Sequence, residues 1–219
     1  MTTTVAVPAA PSAPLPYGPW LTRLLRPLQR GFLLLNRGLM APLLGHRLGW
    51  LVGNPATGYI MLLRTRGRRS GLVREAPLGY VLRNGCAYCV AGYGAPTPWY
   101  QNLLADPRVE VVLPTSRFHG LAEPVTDPAE WLAAYRDLIG SFGLIGRSVV
   151  GDIHRLDDAE LLAHHRTLPV IRITPVDDAR PLVAGAFDPG GRGWLVPYFA
   201  ALAACVLAWS RASRLRHRG

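Results

Sequence analysis

The stretch GYIMLLRTRGRRSGLVREAPLGYVLRNGCAYCVAGY, residues 58–93, decides the fold. Two largely apolar segments, GYIMLLRTR and REAPLGYVLR, flank a turn rich in glycine and arginine. Asn84-Gly85 then predicts a tight hairpin into CAYCVAGY. Because parallel strands need a crossover of a dozen residues or more, these short connections predict consecutive antiparallel strands. The first turn gathers four arginines within six residues.

Three more strand-like segments follow, VEVVL at 109–113, RFHGLAEPV at 117–125 and VIRITPV at 170–176. Pro114-Thr115 provides the turn between the first two of these segments. Six strands joined by short turns are typical of a closed antiparallel barrel. The sequence therefore predicts a mainly β (α+β) protein: a six-stranded antiparallel barrel with flanking helices.

Three helices are predicted to interrupt the strands, and each has a start signal. Thr97, Asp127 and Asp157 are the N-cap residues. Proline follows the first two caps at the first helical position, and a glutamate three residues after the second and third caps completes a capping-box pattern.

Composition divides the chain into segments. Residues 1–19 are rich in proline and alanine and carry no charge, which predicts a disordered tail. Residues 20–176 are predicted to form the barrel domain, and within them residues 20–53 have a basic, amphipathic helical pattern broken by proline and glycine. Two interpretations of residues 20–53 stay open: a helix on an anionic membrane, or a helix that covers one face of the domain.

The C-terminal part is predicted to be a linker at 177–193, a hydrophobic helix at 194–210 and a basic tail at 211–219. Seventeen uncharged residues reach the lower limit for a membrane-spanning helix, and tryptophans near both ends with arginines beyond favour membrane contact through residues 194–218. This interpretation predicts a cytoplasmic protein anchored to the inner face of the cell membrane. The alternative is a helix that docks on the barrel.

The chain is strongly basic, with a net charge of +10, and all 24 of its basic residues are arginine. The absence of lysine excludes a Schiff-base lysine and a lysine-type phosphate loop. The charge points to an anionic partner, namely nucleic acid, a membrane surface or a phosphorylated small molecule. Nucleic acid is the weakest of these, because the aromatic residues do not alternate with arginine along one face.

The cysteines and histidines predict neither a redox centre nor a metal site. Cys86 and Cys89 form a CxxC pattern on a predicted strand, where residues three apart face opposite sides and cannot easily pair. The histidines between residues 154 and 165 match no familiar ligand spacing. We predict no metal.

Gly67-Arg68-Arg69-Ser70-Gly71 is the first candidate binding motif. Its two glycines let the backbone turn with exposed amides, its arginines offer bidentate donors, and Arg74 lies close enough in sequence to join them. A solvated basic turn remains the alternative.

The second candidate is the segment from Ala91 to Leu103, AGYGAPTPWYQNL. Small residues at a strand end let a flat ring approach the backbone, and the next helix presents its N-terminus to negative charge. Trp99 and Tyr100 offer aromatic walls and Asn102 a polar group. The alternative is a glycine loop with a core tryptophan.

These motifs together resemble a known family. GNPATGYIMLLRTRGRRSG, REAPLGYVLRNGCAYCVAGYG, PWYQNLLADPRVEV and LPVIRI occur in an order similar to that of the deazaflavin (F420)-dependent nitroreductase family of actinobacteria. The similarity covers about residues 31 to 176. It implies a flavin-type (FMN-binding-like) split β-barrel that uses coenzyme F420.

The resemblance also implies the roles of individual residues. The turn from Gly67 to Gly71 would hold the phosphate and acidic tail of the coenzyme, with Arg69 in place of the family's lysine. The other implied coenzyme contacts are Arg74, Pro77, Leu78, Ala91, Gly92, Tyr93, Gly94, Trp99 and Asn102. The tyrosines that some members place near the substrate have no counterpart in SFGLIGRSVVGDIHRL, so the acceptor is not specified.

The resemblance implies hydride transfer from reduced F420 to an organic acceptor of quinone, nitro or activated-alkene type. Tyr93 is the one candidate catalytic residue, as a proton or hydrogen-bond donor to the reduced acceptor. The alternatives are a non-catalytic F420-binding or membrane-associated carrier module and a barrel that binds FMN. The oligomeric state is not specified.

Overall fold

The computed structural model describes residues 42–43, 53–55, 58–142, 153, 155–176 and 182–216, with side chains to residue 211 in the last helix. The predicted tail and most of the predicted N-terminal helical segment lie outside the described residues.

Antiparallel strands form one curled sheet. They are β1 (Ile60–Arg66), β2 (Val73–Gly79), β3 (Val81–Arg83), β4 (Cys86–Val90), β5 (Arg108–Val112), β6 (Arg117–Pro124) and β7 (Val170–Pro175). Their order across the sheet is β2-β1-β5-β6-β7-β4-β3. The two edge strands, β2 and β3, follow each other along the chain, so the sheet curls until its edges meet at one residue, Tyr80. The predicted FMN-binding-like antiparallel fold is confirmed.

The predicted strand count of six is wrong, because REAPLGYVLR forms two strands. β2 pairs with β1 as far as Gly79, and β3 pairs with β4 from Val81 onward. Tyr80 lies between them and is fully buried. Its backbone N–H bonds to the carbonyl of Tyr59, and its hydroxyl donates to the buried carboxylate of Asp188. These contacts bend the chain from one edge of the sheet to the other.

The helices begin where the caps predict. Helix α1 is Pro98–Ala105, α2 is Pro128–Ser141, α3 is Asp158–His165 and α4 is Leu195–Arg216. Asp127 accepts a hydrogen bond from the backbone N–H of Glu130, as an N-cap should. Thr97 makes no such bond, since its hydroxyl donates to the carbonyl of Gly94.

Two apolar clusters stabilise the sheet. The inner cluster fills the curl and includes Met61, Leu63 and Tyr80, with Trp99 and Leu103 from α1. The outer cluster packs α2 and α3 on the other face of the sheet, around the stacked rings of Trp131 and Tyr135. The curl leaves the β1–β2 turn at one end beside α1, and Tyr59 and Tyr80 at the opposite end.

The C-terminal segment contacts the barrel before it becomes a helix. Leu182 bridges to Gly85, and Asp188 reaches Tyr80. Helix α4 then exposes apolar side chains such as Phe199, Leu202 and Trp209. No helix in the part of the chain that the structure describes is long and apolar enough to cross a membrane. The expectation that residues 194–210 anchor the protein in a membrane is therefore not supported.

Candidate functional site

The turn between β1 and β2 is a compact loop closed by its own backbone. The N–H of Gly67 donates to the carbonyl of Leu72, and the N–H of Gly71 donates to the carbonyl of Gly67, both at 2.8 Å. Gly71 has a φ of 67°, which glycine adopts without strain. At Gly67, a Cβ atom would lie 2.9 Å from the Ser70 hydroxyl. The loop therefore requires both glycines of the motif.

Asn102 ties this turn to helix α1. Its Oδ1 accepts from the backbone N–H of Arg68 at 3.2 Å and from Nη1 of Arg68 at 3.3 Å, while its Nδ2 donates to Thr65 Oγ1 at 3.3 Å. Nη1 of Arg68 also lies 3.5 Å from the carbonyl of Pro98. Asn102 is 6% exposed, and both ends of its amide are used. It therefore positions the turn and leaves little for a bound molecule to contact.

Positive charge at the turn has no internal counterion. Among the described residues, Arg66, Arg68, Arg69 and Arg74 have no carboxylate within ion-pair distance, whereas Arg172 pairs with two. All four of the unpaired arginines are exposed. Uncompensated guanidinium groups around one loop create a positive potential that suits a phosphate or carboxylate.

Two further polar groups complete the cluster. Nη2 of Arg74 donates to Ser70 Oγ at 3.4 Å, and the backbone N–H of Leu72 lies the same distance from that oxygen. Arg66 lies alongside Gly71, since its Nε would be 3.8 Å from a Cβ there. Arg66 is missing from the set that the sequence predicts, although its place in the run of four arginines could have identified it.

The glycine loop before α1 is ordered by short-range bonds. The N–H of Gly94 donates to the carbonyl of Ala91 at 2.7 Å, and Gln101 Nε2 donates to the carbonyl of Ala95 at 2.8 Å. Ala91 is buried, whereas Tyr93 is 37% exposed. Burial of part of its ring raises the pKa of Tyr93, which keeps the hydroxyl protonated as a hydrogen-bond donor.

The aromatic residues of α1 face the core rather than an open wall. Trp99 and Tyr100 are each 9% exposed, and their rings meet edge to face with centroids 6.3 Å apart. Both belong to the inner apolar cluster. Their first contribution is therefore to fix α1, and with it Asn102, against the sheet.

The structure brings some of the predicted site residues together and separates others. Arg68, Ser70, Arg74 and Asn102 form one hydrogen-bonded cluster. Pro77 and Leu78 are adjacent on β2, so their side chains face opposite sides of the sheet. Leu78 packs on the inner cluster. A single molecule on one face of β2 cannot contact both of these side chains.

The chain resembles proteins of known class in sequence and fold. Residues 45–141, slightly less than half of the chain, match a family described as F420H(2)-dependent quinone reductase. No curated protein matches the sequence.

Several solved structures are similar. An F420-H2 dependent reductase has 23% identity over 52% of this chain and 92% of its own, with a TM-score of 0.38. A conserved protein of Mycobacterium tuberculosis has 17% identity over 59% and 86%, with a TM-score of 0.41. A heme storage protein from Vibrio cholerae has 15% identity over 53% and 81%, with a TM-score of 0.38. With TM-scores below 0.5, these likenesses carry no weight in assigning function.

The family match agrees with the resemblance that the motifs predict, and it contains both the β1–β2 turn and helix α1. Through residues 45–141 the chain is therefore related to the F420H(2)-dependent quinone reductases, an oxidoreductase class whose cofactor is coenzyme F420.

Proposed function

We propose that the protein transfers a hydride from reduced F420 to an organic acceptor, and that the β1–β2 turn holds the phosphate and acidic tail of the coenzyme. The observation that carries this proposal is the group of four exposed arginines without a carboxylate partner among the described residues, arranged on a loop that α1 fixes in place. Their donors fit the anionic half of a phosphorylated coenzyme.

The residues of the site divide into two groups by what they can contact. Arg69, which makes no bond to another described side chain, is free to bind an anion directly. Arg68 contributes both its charge and its tie to Asn102. The loop from Ala91 to Gly94 provides small residues beside which a flat ring can lie. Reduced F420, when bound, supplies the hydride.

The acceptor is proposed to be a quinone, a nitro compound or an activated alkene. In each of these, hydride transfer leaves negative charge on oxygen or carbon that must be protonated. Tyr93 is the proposed donor, because its hydroxyl is half-exposed in the loop and its pKa is raised. The protein otherwise needs only to hold the two reactants in contact and away from water.

Turnover with reduced F420 tests this proposal. Purified protein should oxidise reduced F420 in the presence of at least one acceptor from a panel of quinones, nitroarenes and activated alkenes. A parallel titration with FMN separates the two cofactors: F420 should bind and FMN should not compete with it. Tight FMN binding without F420 binding would instead identify a flavin barrel, and F420 binding without turnover across the panel would identify a carrier.

A further inference from the structure

A pocket of about 650 Å³ lies at the end of the barrel away from the arginine turn. Tyr59, Val81 and Leu82 line it from the sheet, and the last turn of α2 contributes Gly140 and Ser141. Its other wall is the C-terminal segment, through Pro189, Gly190, Gly191, Arg192, Trp194 and Leu195. Pockets of 300–1,000 Å³ are the usual size for small organic ligands.

The C-terminal wall is held on the barrel by specific bonds. Buried Asp188 accepts from the hydroxyl of Tyr80, and its Oδ2 also accepts from the N–H of Gly185 at 3.0 Å. Asn54 Nδ2 donates to the hydroxyl of Tyr198 at 3.1 Å, which secures the start of α4. This wall lies outside residues 45–141, so the pocket is an addition to the part of the chain that matches the family.

Tyr59 is the polar group that this pocket leaves unexplained. It is 4% exposed, and its hydroxyl has no hydrogen-bond partner among the residues that the structure describes. A buried tyrosine hydroxyl normally finds a partner, because leaving it unpaired costs free energy. Burial and the nearby carboxylate of Asp188 raise the pKa of Tyr59, so the hydroxyl remains a donor. The partner expected for it is an acceptor oxygen on a bound molecule.

The rest of the lining limits the ligand further. Val81, Leu82, Leu195 and the indole of Trp194 present an apolar, partly aromatic surface. The carboxylate of Asp137 is already paired with Arg83 at 2.8 Å. A flat, uncharged molecule with an acceptor oxygen matches this combination better than a strongly charged one.

We infer that this pocket binds an uncharged aromatic carbonyl compound, with the hydroxyl of Tyr59 donating to a carbonyl oxygen and Trp194 covering the ring. Quinones have this chemistry, so the pocket gives the proposed acceptor a binding site. The role of the ligand as acceptor rests on the proposed function, whereas its binding does not.

Calorimetric titration with 1,4-naphthoquinone, in the absence of coenzyme, tests the inference. Tyr59→Phe should weaken binding by about five- to tenfold, the loss expected for one hydrogen bond. Naphthalene, which lacks the carbonyl oxygens, should bind both proteins equally. Tyr88→Phe is the matched control, because Tyr88 bonds to Glu130 away from the pocket, and it should leave the Kd for naphthoquinone unchanged.

Trp194→Ala provides a second variant and should weaken the binding of both compounds. The inference is overturned if wild-type protein shows no saturable binding, or if Tyr59→Phe and Tyr88→Phe give the same Kd for naphthoquinone. A separate F420 titration distinguishes the two proposals. Loss of F420 binding with naphthoquinone binding intact would refute the proposed function alone, and the reverse result would refute only this pocket.

Discussion

Asn102 Oδ1 accepts two hydrogen bonds from Arg68, one from the backbone N–H and one from Nη1. One side chain on helix α1 therefore fixes both the path of the β1–β2 turn and the direction of its first arginine. Its Nδ2 is bonded to Thr65 on β1, so the amide cannot rotate without losing all three bonds. The turn is held in shape before any ligand arrives, and such preorganisation lowers the entropic cost of binding an anion.

Asn102→Ala should therefore lower both stability and coenzyme affinity. Removing the amide leaves a buried N–H and a buried hydroxyl unpaired, at a cost of about 1–3 kcal/mol in the free energy of unfolding. The Kd for F420 should rise about tenfold. Urea unfolding and fluorescence titration measure the two effects. Gln101→Ala removes a neighbouring side chain that bonds only to the glycine loop, and it should preserve the geometry of the arginine turn; an equal loss of affinity in this variant would argue against the role of Asn102.

Gly79→Ala should destabilise the protein through Phe142. A Cβ at Gly79 would lie 2.2 Å from the Phe142 ring, so the ring must move. The free energy of unfolding should fall by about 1–3 kcal/mol, as for other overpacked sites. Adding Phe142→Ala removes the clash, and in a double-mutant cycle the combined loss should be smaller than the sum of the single losses. Simple additivity would show that the two residues are not in contact.

His165 should make stability depend on pH in the mildly acidic range. Burial lowers the pKa of this imidazole below 6.5, and its Nδ1 lies 3.0 Å from the hydroxyl of Tyr135. The folded state therefore takes up a proton less readily than the unfolded state. The contribution is fully present above pH 6.5 and is lost as the pH falls through the depressed pKa. Urea unfolding at about pH 7.5 and about pH 5.5 should show a larger loss for wild type than for His165→Gln. Equal losses would contradict the assignment.

Tyr93→Phe should slow turnover without weakening coenzyme binding. The side chain lies in the glycine loop, and its raised pKa keeps the proton available at neutral pH. Loss of a positioned proton donor typically lowers kcat by roughly a hundredfold. The Kd for F420 should change by less than about twofold, a difference well under 1 kcal/mol. Single-turnover oxidation of reduced F420 measures the chemical step, and an unchanged rate would remove Tyr93 from the mechanism.

Local sequence signals predicted most of the elements of the fold. The caps at Asp127 and Asp157 and the Asn84-Gly85 turn act over a few residues, and each marks an element boundary that the structure contains. The division of REAPLGYVLR into two strands was not predictable in this way. It depends on Tyr80 bonding to Asp188, which is 108 residues away in the sequence.

The same reasoning explains which parts of the candidate site the sequence could show. The glycines and arginines of the turn are contiguous, so their pattern was visible. The contact between Asn102 and Arg68 spans 34 residues and depends on how α1 packs against β1. Likewise Asp188 lies in a segment rich in glycine and proline, which predicts a linker by composition although the residue is 2% exposed. Composition reports the local chain and carries no information on what a distant strand presents to it.

The most direct test of the central claim is the affinity for F420 when a single arginine of the turn is removed. Arg69→Ala should weaken binding at least tenfold at constant ionic strength, a loss of about 1.4 kcal/mol. Arg117→Ala removes an equally charged side chain that is 55% exposed and has its nearest carboxylate at 4.0 Å. It should leave the Kd for F420 close to that of wild type. Wild-type protein that fails to bind F420, or equal affinities for the two variants, would contradict the account.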